Sequence, residues 1–226
     1  MQVSTLNLNL DNVQRNFVYR KGTADEAVIV RVLKNASYNF SALRRGRELV
    51  HFYGRLVQAG KTPLIVDTAA DIGAATVYFA RAFPQARVVA LEADRSKFEL
   101  LGVNTINLPI ECFNVAVSGT GAAPANGSAN GAAAQQTINE IYERNAADTV
   151  PFIVKADVDD CERGLFSERT EWLARTPVVI VELHDCLIPG TASSKIFVDH
   201  ITRSNRDFVY LHDHVFSISR EAWAVQ

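Results

Sequence analysis

Short runs that are apolar almost throughout recur along the chain from residue 63 onward. They occupy residues 63–67, 87–92, 151–157 and 177–183, and the first three end in an acid. A run without polar alternation is typical of a strand in a parallel sheet that is covered on both faces. Between the runs, capping residues and a proline delimit predicted helices at 74–83, 94–104, 137–144, 162–175 and 193–204. Strands that alternate with helices in this way predict an α/β domain with helices on both faces of a parallel sheet.

Two weaker patterns complete the predicted sheet. Residues 112–117 form a third, less apolar run after the helix that ends near residue 104. At the end of the chain, residues 207–212 and 215–219 predict a closing antiparallel pair. The predicted fold class is therefore α/β, with a mostly parallel twisted sheet of about seven strands and an antiparallel terminal strand.

The chain before residue 63 lacks this alternation of apolar runs and helices. We interpret residues 1–62 as a mixed, helical segment that packs on the core formed by residues 63–226. Apolar spacing favours helices at 25–32 and 41–59. Residues 119–136 also break the pattern, since they contain neither a charge nor a large apolar side chain. Such a stretch buries too little surface to offset its ordering entropy, which predicts a flexible surface loop; a functional lid is the second interpretation.

The net charge and the cysteines indicate which partners and which cellular compartment to expect. A net charge of −2 and a pI of about 6.2 give no electrostatic reason to expect nucleic acid or a membrane as a partner. Cys112, Cys161 and Cys186 are widely spaced, which is typical of reduced thiols rather than of a disulfide frame or a zinc site. The first residues do not resemble a signal peptide, and no apolar run approaches the ~20 residues of a membrane span. We therefore expect a cytoplasmic protein, and the sequence leaves its oligomeric state open.

Acidic residues gather where the predicted strands end. In open α/β sheets a ligand binds outside the carboxyl ends of the strands, at the point where the strand order reverses. The segments concerned are 67–73, 92, 114–117, 157–162 and 182–185, and all but the third carry acids. Capping of the next helix explains a single acid there, because the helix dipole favours it. Packing does not require the whole set, so the pattern favours a ligand site along this edge.

The motifs at these positions resemble, in order, those of the FkbM-type S-adenosylmethionine-dependent methyltransferases. Residues 66–73, Val-Asp-Thr-Ala-Ala-Asp-Ile-Gly, are similar to the family's opening Asp-x-Gly-Ala-Asn-x-Gly, and Leu-Glu-Ala-Asp at 91–94 is similar to its second-strand motif. Further similarities lie at residues 19–26, 114–118, 137–141, 155–162 and 181–185. The resemblance extends over residues 17–218 and implies a Rossmann-like methyltransferase fold.

The resemblance also implies a cofactor, an activity and roles for individual residues. The implied cofactor is S-adenosylmethionine, and the residues implied to bind it are Asp67, Ala69, Asp71, Gly73, Glu92, Ala93, Asn114, Ala116 and Asp157. In this scheme Glu92 accepts both ribose hydroxyls, as acids do in dinucleotide sites. Asp157 and His184 face the acceptor, where either can act as general base; a purely structural His184 is the alternative. The implied activity is O-methylation of a small-molecule or glycan hydroxyl.

Departures from the family's motifs leave a second hypothesis open. Ala69 replaces a glycine, and an alanine at positive φ would cost on the order of 1 kcal/mol. Asp71 replaces an asparagine, and a carboxylate about 4 Å from the cofactor's own carboxylate would cost up to ~4 kcal/mol. Residues 159–160, Asp-Asp, replace a Glu-Gly pair. The alternative is a non-catalytic protein of the same fold, with weakened cofactor binding, that acts as a partner-binding or structural module.

A third hypothesis adds a divalent metal to the enzyme. Hard oxygen ligands of the kind that Mg²⁺ prefers are available from Asp157, Asp159, Asp160, Glu162 and Asp185. In an extended segment, however, Asp157 and Asp159 share one face and Asp160 does not. We therefore predict no metal site.

Overall fold

The computed structural model describes residues 2–10, 12–119, 134–157, 162–183, 190, 192 and 194–223. Within them the strands are β1 (Val3–Leu10), β2 (Val13–Arg20), β3 (Thr62–Asp67), β4 (Arg87–Leu91), β5 (Ile110–Phe113), β6 (Val115–Val117), β7 (Ala134–Gln136), β8 (Thr149–Ala156), β9 (Val178–Glu182), β10 (Arg206–Leu211) and β11 (His214–Ser219). The α-helices are α1 (Asp25–Ile29), α2 (Gly46–Gln58), α3 (Ala74–Ala82), α4 (Arg95–Asn104), α5 (Ile138–Arg144), α6 (Glu162–Ser167), α7 (Glu171–Arg175) and α8 (Lys195–Arg203). A π-helical stretch at Val30–Lys34 extends α1, and a 3₁₀ turn at Phe40–Ala42 precedes α2.

Seven strands form one sheet in the order β10-β11-β9-β8-β3-β4-β5. Strand β3 pairs in parallel with β4 on one side and with β8 on the other. Strand β11 runs antiparallel to both β9 and β10. These pairings confirm the predicted mostly parallel sheet with an antiparallel terminal strand. The chain passes from β3 outward to β5 and then returns to the other side of β3, so the strand order reverses between β3 and β8.

Alternate residues of the central strands enter two different hydrophobic cores, because successive side chains of a strand point to opposite faces. Ile65 and Val88 face the core that contains apolar residues of α2 and α3. Leu64, Val66 and Val89 face the core that contains apolar residues of α5 to α8. All five side chains are fully buried. Helices therefore cover both faces, which explains why these strands are apolar without alternation.

The first 62 residues contain an antiparallel hairpin, β1–β2, that the sequence interpretation did not predict. Leu8, Leu10 and Phe17 of the hairpin are buried in the same core as residues of α2 and α3. A signal was present, since the leucines at 6, 8 and 10 alternate with polar residues. A period of two residues is the pattern of a half-buried strand.

Two predicted helices are interrupted, whereas those predicted at 137–144 and 193–204 are present as α5 and α8. Instead of one helix over 41–59, the chain forms the 3₁₀ turn first and α2 begins only at Gly46. Instead of one helix over 162–175, α6 and α7 are separated at Arg169, whose φ of 49° cannot continue a right-handed helix. The helices predicted at 74–83 and 94–104 are present, and Asp94 caps α4 as expected. Among the described residues, no helix has the length and apolarity that crossing a bilayer demands.

The strand predicted at 112–117 is two strands in two sheets. Strand β5 belongs to the main sheet, whereas β6 pairs in parallel with β7 in a sheet of two strands. Between them, the Asn114 side-chain amide donates to the backbone oxygens of Glu92 (2.8 Å) and Ala93 (3.1 Å). The prediction of a loop over 119–136 is wrong for residues 134–136, which form β7, and residues 120–133 lie outside the described part of the chain.

Candidate functional site

The turn between β3 and α3 lies beside the point where the strand order reverses. It contains two left-handed residues, Asp71 (φ 50°) and Gly73 (φ 96°). The φ of Gly73 favours glycine there, and a Cβ on Gly73 would lie 2.9 Å from Leu101 Cδ1, so that the Leu101 side chain would have to shift. Aspartate tolerates the left-handed region better than most residues, which suits position 71. The predicted strain at Ala69 is wrong, because the left-handed positions of this turn are 71 and 73.

A buried ion pair between Asp67 and Lys155 supports this turn. The fully buried Asp67 accepts a hydrogen bond from the Thr76 hydroxyl (2.7 Å), and its Oδ1 lies 3.1 Å from Lys155 Nζ. Lys155 Nζ also donates to the Ala69 oxygen (2.9 Å) and lies 3.6 Å from Asp157 Oδ2. Burial opposes the charge of Lys155, but the carboxylates of Asp67 and Asp157 raise its pKa above the usual range. Lys155 therefore stays charged and ties the end of β8 to the turn.

Glu92 faces the same turn from the end of β4. Its Oε2 accepts the backbone N–H of Asp71 and its Oε1 accepts that of Asp94, both at 2.8 Å. The residue is only 7% exposed, and this burial raises the pKa of Glu92 against the effect of the two N–H donors. Each carboxylate oxygen has a second lone pair. Glu92 is therefore oriented by the backbone and can still accept two hydrogen bonds from a ligand.

A cleft of about 350 Å³ opens above these strand ends, a size within the range of small-molecule sites. Six of the nine residues predicted to bind a cofactor line it, namely Ala69, Asp71, Glu92, Ala93, Ala116 and Asp157. The other three support the lining. Asp67 and Gly73 build the turn, and Asn114 holds the backbone at Glu92 and Ala93.

The sequence interpretation did not include four residues that also line the cleft, namely Thr68, Asp94, Lys97 and Val117. Lys97 stands in the first turn of α4, where a side chain points back toward the amino end of its helix; its position after the Asp94 cap was the available signal. Among the described lining residues, four carry carboxyl groups and Lys97 carries the one ammonium group. The cleft is therefore suited to a ligand with a positive charge.

A smaller cavity of about 70 Å³ lies on the other side of the turn. Asp157 lines both spaces, and Arg31 and Tyr38 line the smaller one. Arg31 makes ion pairs with Glu182 (3.5 Å) and Asp213 (3.2 Å). The second predicted catalytic residue, His184, lies outside the described residues, and its role stays a prediction.

Another histidine, His214, contacts Tyr38, which lines this cavity, and the sequence interpretation did not identify it. It begins β11, is fully buried, and packs its ring 4.5 Å from that of Tyr38. Its Nε2 lies 3.5 Å from Glu182 Oε2, but neither ring nitrogen forms a hydrogen bond with a described residue. Burial lowers the pKa of His214 to about 4, so the imidazole is neutral at pH 7. A histidine at the head of an apolar strand was the only signal in the sequence.

No group of three or more histidine, cysteine or acidic side chains within the described residues is arranged to hold a metal ion. Asp159, Asp160, Asp185 and the side chain of Glu162 lie outside that part of the chain. The absence of a metal site stays a prediction.

Comparisons with known proteins add structural neighbours. No family model and no curated protein matches the sequence. An O-methyltransferase from Bacillus cereus in complex with SAH is 16% identical, with a TM-score of 0.47 over 86% of this chain and 91% of the other. The cofactor-bound protein Rv0187 from MTB is 13% identical, with a TM-score of 0.47 over 89% and 93%. A fibrillarin/Nop5p complex matches at 12%, with a TM-score of 0.43 over 70% and 71%.

These likenesses have TM-scores below 0.5 and carry no argument about this chain. The mostly parallel sheet of seven strands, with β11 antiparallel between β9 and β10, agrees with the predicted α/β fold class. The chain therefore has a Rossmann-like α/β fold.

Proposed function

We propose that this protein is a member of the FkbM type that binds S-adenosylmethionine in the cleft and methylates a hydroxyl group of a small molecule or glycan. The observation that carries the proposal is the hydrogen bonding of the Glu92 carboxylate. Two backbone N–H groups orient its buried carboxylate, and one acceptor position on each oxygen is left for a ligand. A vicinal diol such as that of a ribose has the matching pair of donors.

The remaining lining residues fit the other parts of this cofactor. Ala116 and Val117 give an apolar wall for the adenine, while Thr68, Ala69 and Asp157 border the space for the amino-acid end. The excess of carboxyl groups favours a cationic ligand, and S-adenosylmethionine, when bound, supplies a sulfonium that is an activated methyl donor. The backbone at Ala69 is unstrained, which removes one of the reasons given above for weak binding.

The residues of this chain would contribute alignment and proton transfer. Asp157 lies at the boundary of the two cavities and can orient an acceptor hydroxyl or accept its proton. The second base in this proposal is the predicted His184, which lies outside the described residues. Alignment of acceptor and donor supplies most of the rate enhancement in such a transfer.

A calorimetric titration with S-adenosylmethionine and S-adenosylhomocysteine tests the proposal. We expect wild-type protein to bind both, and Glu92→Gln to weaken binding about tenfold to hundredfold, because hydrogen bonds to a charged group contribute roughly 1.5–3 kcal/mol. Glu99→Gln is the matched control, since Glu99 is an exposed acid on α4 whose partner is Arg95. If the wild-type protein binds neither compound, the proposal is refuted and the non-catalytic alternative is favoured.

The acceptor is to be identified by release of S-adenosylhomocysteine in the presence of hydroxylated candidates. A panel of phenols, polyols and oligosaccharides represents the proposed acceptors, and an RNA transcript represents the class that we expect to be inactive. Turnover only with the RNA would contradict the proposed acceptor class while leaving cofactor binding intact.

A further inference from the structure

The carboxylate of Asp71 lies between two cations that come from distant parts of the chain. Its Oδ1 is 3.2 Å from Lys97 Nζ in α4 and 3.6 Å from Arg20 Nη2 at the end of β2. The Asp71 side chain is 31% exposed and that of Arg20 only 13%, so solvent screens this contact less than it would screen an open surface pair.

Arg20 is itself held in place by a second acid. Its Nε and Nη2 donate to the two oxygens of Asp25 at 2.8 and 2.6 Å, and its backbone N–H donates to Asp25 Oδ2 at 2.9 Å. Asp25 is 2% exposed and begins α1. A bidentate pair of this kind fixes the plane of the guanidinium. The free edge of Arg20 is thus a rigid positive group beside the turn.

The position of Asp71 bears directly on the cleft. The same residue donates its backbone N–H to Glu92 Oε2, and its φ of 50° makes the peptide there sensitive to any change in the turn. A shift of Asp71 would therefore remove one of the two donors that orient Glu92. Contacts that fix the Asp71 side chain thus also fix the orientation in which the Glu92 carboxylate accepts hydrogen bonds.

Arg20 and Lys97 carry two positive charges, and the acids in ion-pair contact with them are Asp25 and Asp71. Glu92 also acts electrostatically on Lys97, and Asp94 acts on Arg20. Arg20 and Lys97 therefore stabilise the carboxylate of Asp71. They explain why the turn contains an aspartate, although a carboxylate there was expected to repel the carboxylate of the cofactor.

We propose that Arg20 and Lys97 are positioning residues that clamp the Asp71 carboxylate and so hold the turn and Glu92 in the geometry that binds the cofactor. The effect on the cofactor rests on the proposed function, whereas the effect on the turn does not. Lys97 is the residue to change, since removal of Arg20 would leave Asp25 buried without its partner and endanger the fold.

The test compares Lys97→Met in the wild type and in Asp71→Asn, which keeps a residue that tolerates left-handed backbone. Arg95→Met is the matched control, because Arg95 is an exposed cation on α4 that pairs with Glu99. Two quantities are measured on protein shown to be folded by its thermal transition. One is hydrogen exchange of the residue-71 amide without ligand, and the other is the Kd for S-adenosylhomocysteine.

We expect Lys97→Met in the wild-type background to speed exchange of the amide at least about fivefold and to weaken binding about tenfold. In the Asp71→Asn background both effects should fall below about twofold, because the partner of the lysine is absent. Equal losses in the two backgrounds, or no more effect than Arg95→Met, would overturn the clamp. If the wild-type protein binds no S-adenosylhomocysteine, the proposed function fails, and amide exchange alone decides whether the clamp exists.

Discussion

The buried imidazole of His214 makes the stability of the fold sensitive to acid. Burial lowers the pKa of His214 from 6.5 to about 4, and the charged groups that act on it are Asp157, Lys155, Arg31, Asp213 and Glu182. The unfolded chain takes up a proton at a higher pH than the folded one. The contribution is therefore fully present above pH 6.5 and is lost progressively as the pH falls from about 6.5 toward 4.

The size of this effect follows from the two pKa values. One pKa unit corresponds to 1.36 kcal/mol, so a fall from 6.5 to about 4 amounts to about 3 kcal/mol when the titration is complete. Between pH 7 and pH 4.5 the part lost is about 2.5 kcal/mol. This is a large fraction of the 5–15 kcal/mol that is typical of folded domains.

Urea denaturation of wild type and His214→Leu at pH 7 and pH 4.5 measures the effect. We expect the wild type to lose about 2.5 kcal/mol more than His214→Leu, because carboxyl groups that titrate in this range act in both proteins and cancel. His51→Gln, which replaces an exposed histidine, is the control and should follow the wild type. Parallel losses in wild type and His214→Leu would refute the reasoning, because they would mean that the pKa of His214 is the same in the folded and the unfolded chain.

Two further substitutions test the turn. Gly73→Ala should destabilise the protein by about 1–3 kcal/mol in urea denaturation, since φ is 96° and the new Cβ would lie 2.9 Å from Leu101. Gly102→Ala is the control. Because Gly102 lies on α4 with open space around its Cβ position, this substitution should instead stabilise the protein by up to ~1 kcal/mol. A loss for both glycines alike would count against the left-handed turn. Lys155→Met should cost about 3–5 kcal/mol because Asp67 stays buried without its ion pair, and Asp67→Asn in the same chain should recover part of the loss. No recovery would mean that Lys155 acts mainly through Ala69.

The secondary structure was predicted best where a local pattern suffices. The apolar runs of β3, β4, β8 and β9 are legible because both faces of those strands are covered. The helix after Asp94 is legible because its cap is a local contact. The split of α6 and α7 depends instead on one left-handed residue, Arg169, and no apolar spacing reveals it. The break between β5 and β6 depends on Asn114, whose partners, Glu92 and Ala93, lie directly after β4.

The features of the site likewise fall into those that the sequence predicts and those that only the structure reveals. By itself the sequence determined the alternation of the main strands and helices from β3 onward, the acids at the strand ends and therefore the edge at which Asp71, Glu92 and Asp157 meet. Tertiary structure alone decided that Ala69 is unstrained, that Arg20 and Lys97 converge on Asp71, and that His214 is buried beside Tyr38. The physical reason is that motifs and periodicity report interactions between neighbours in the chain. Ion pairs across 51 or 26 residues and the burial of a histidine exist only once the sheet has brought those segments together.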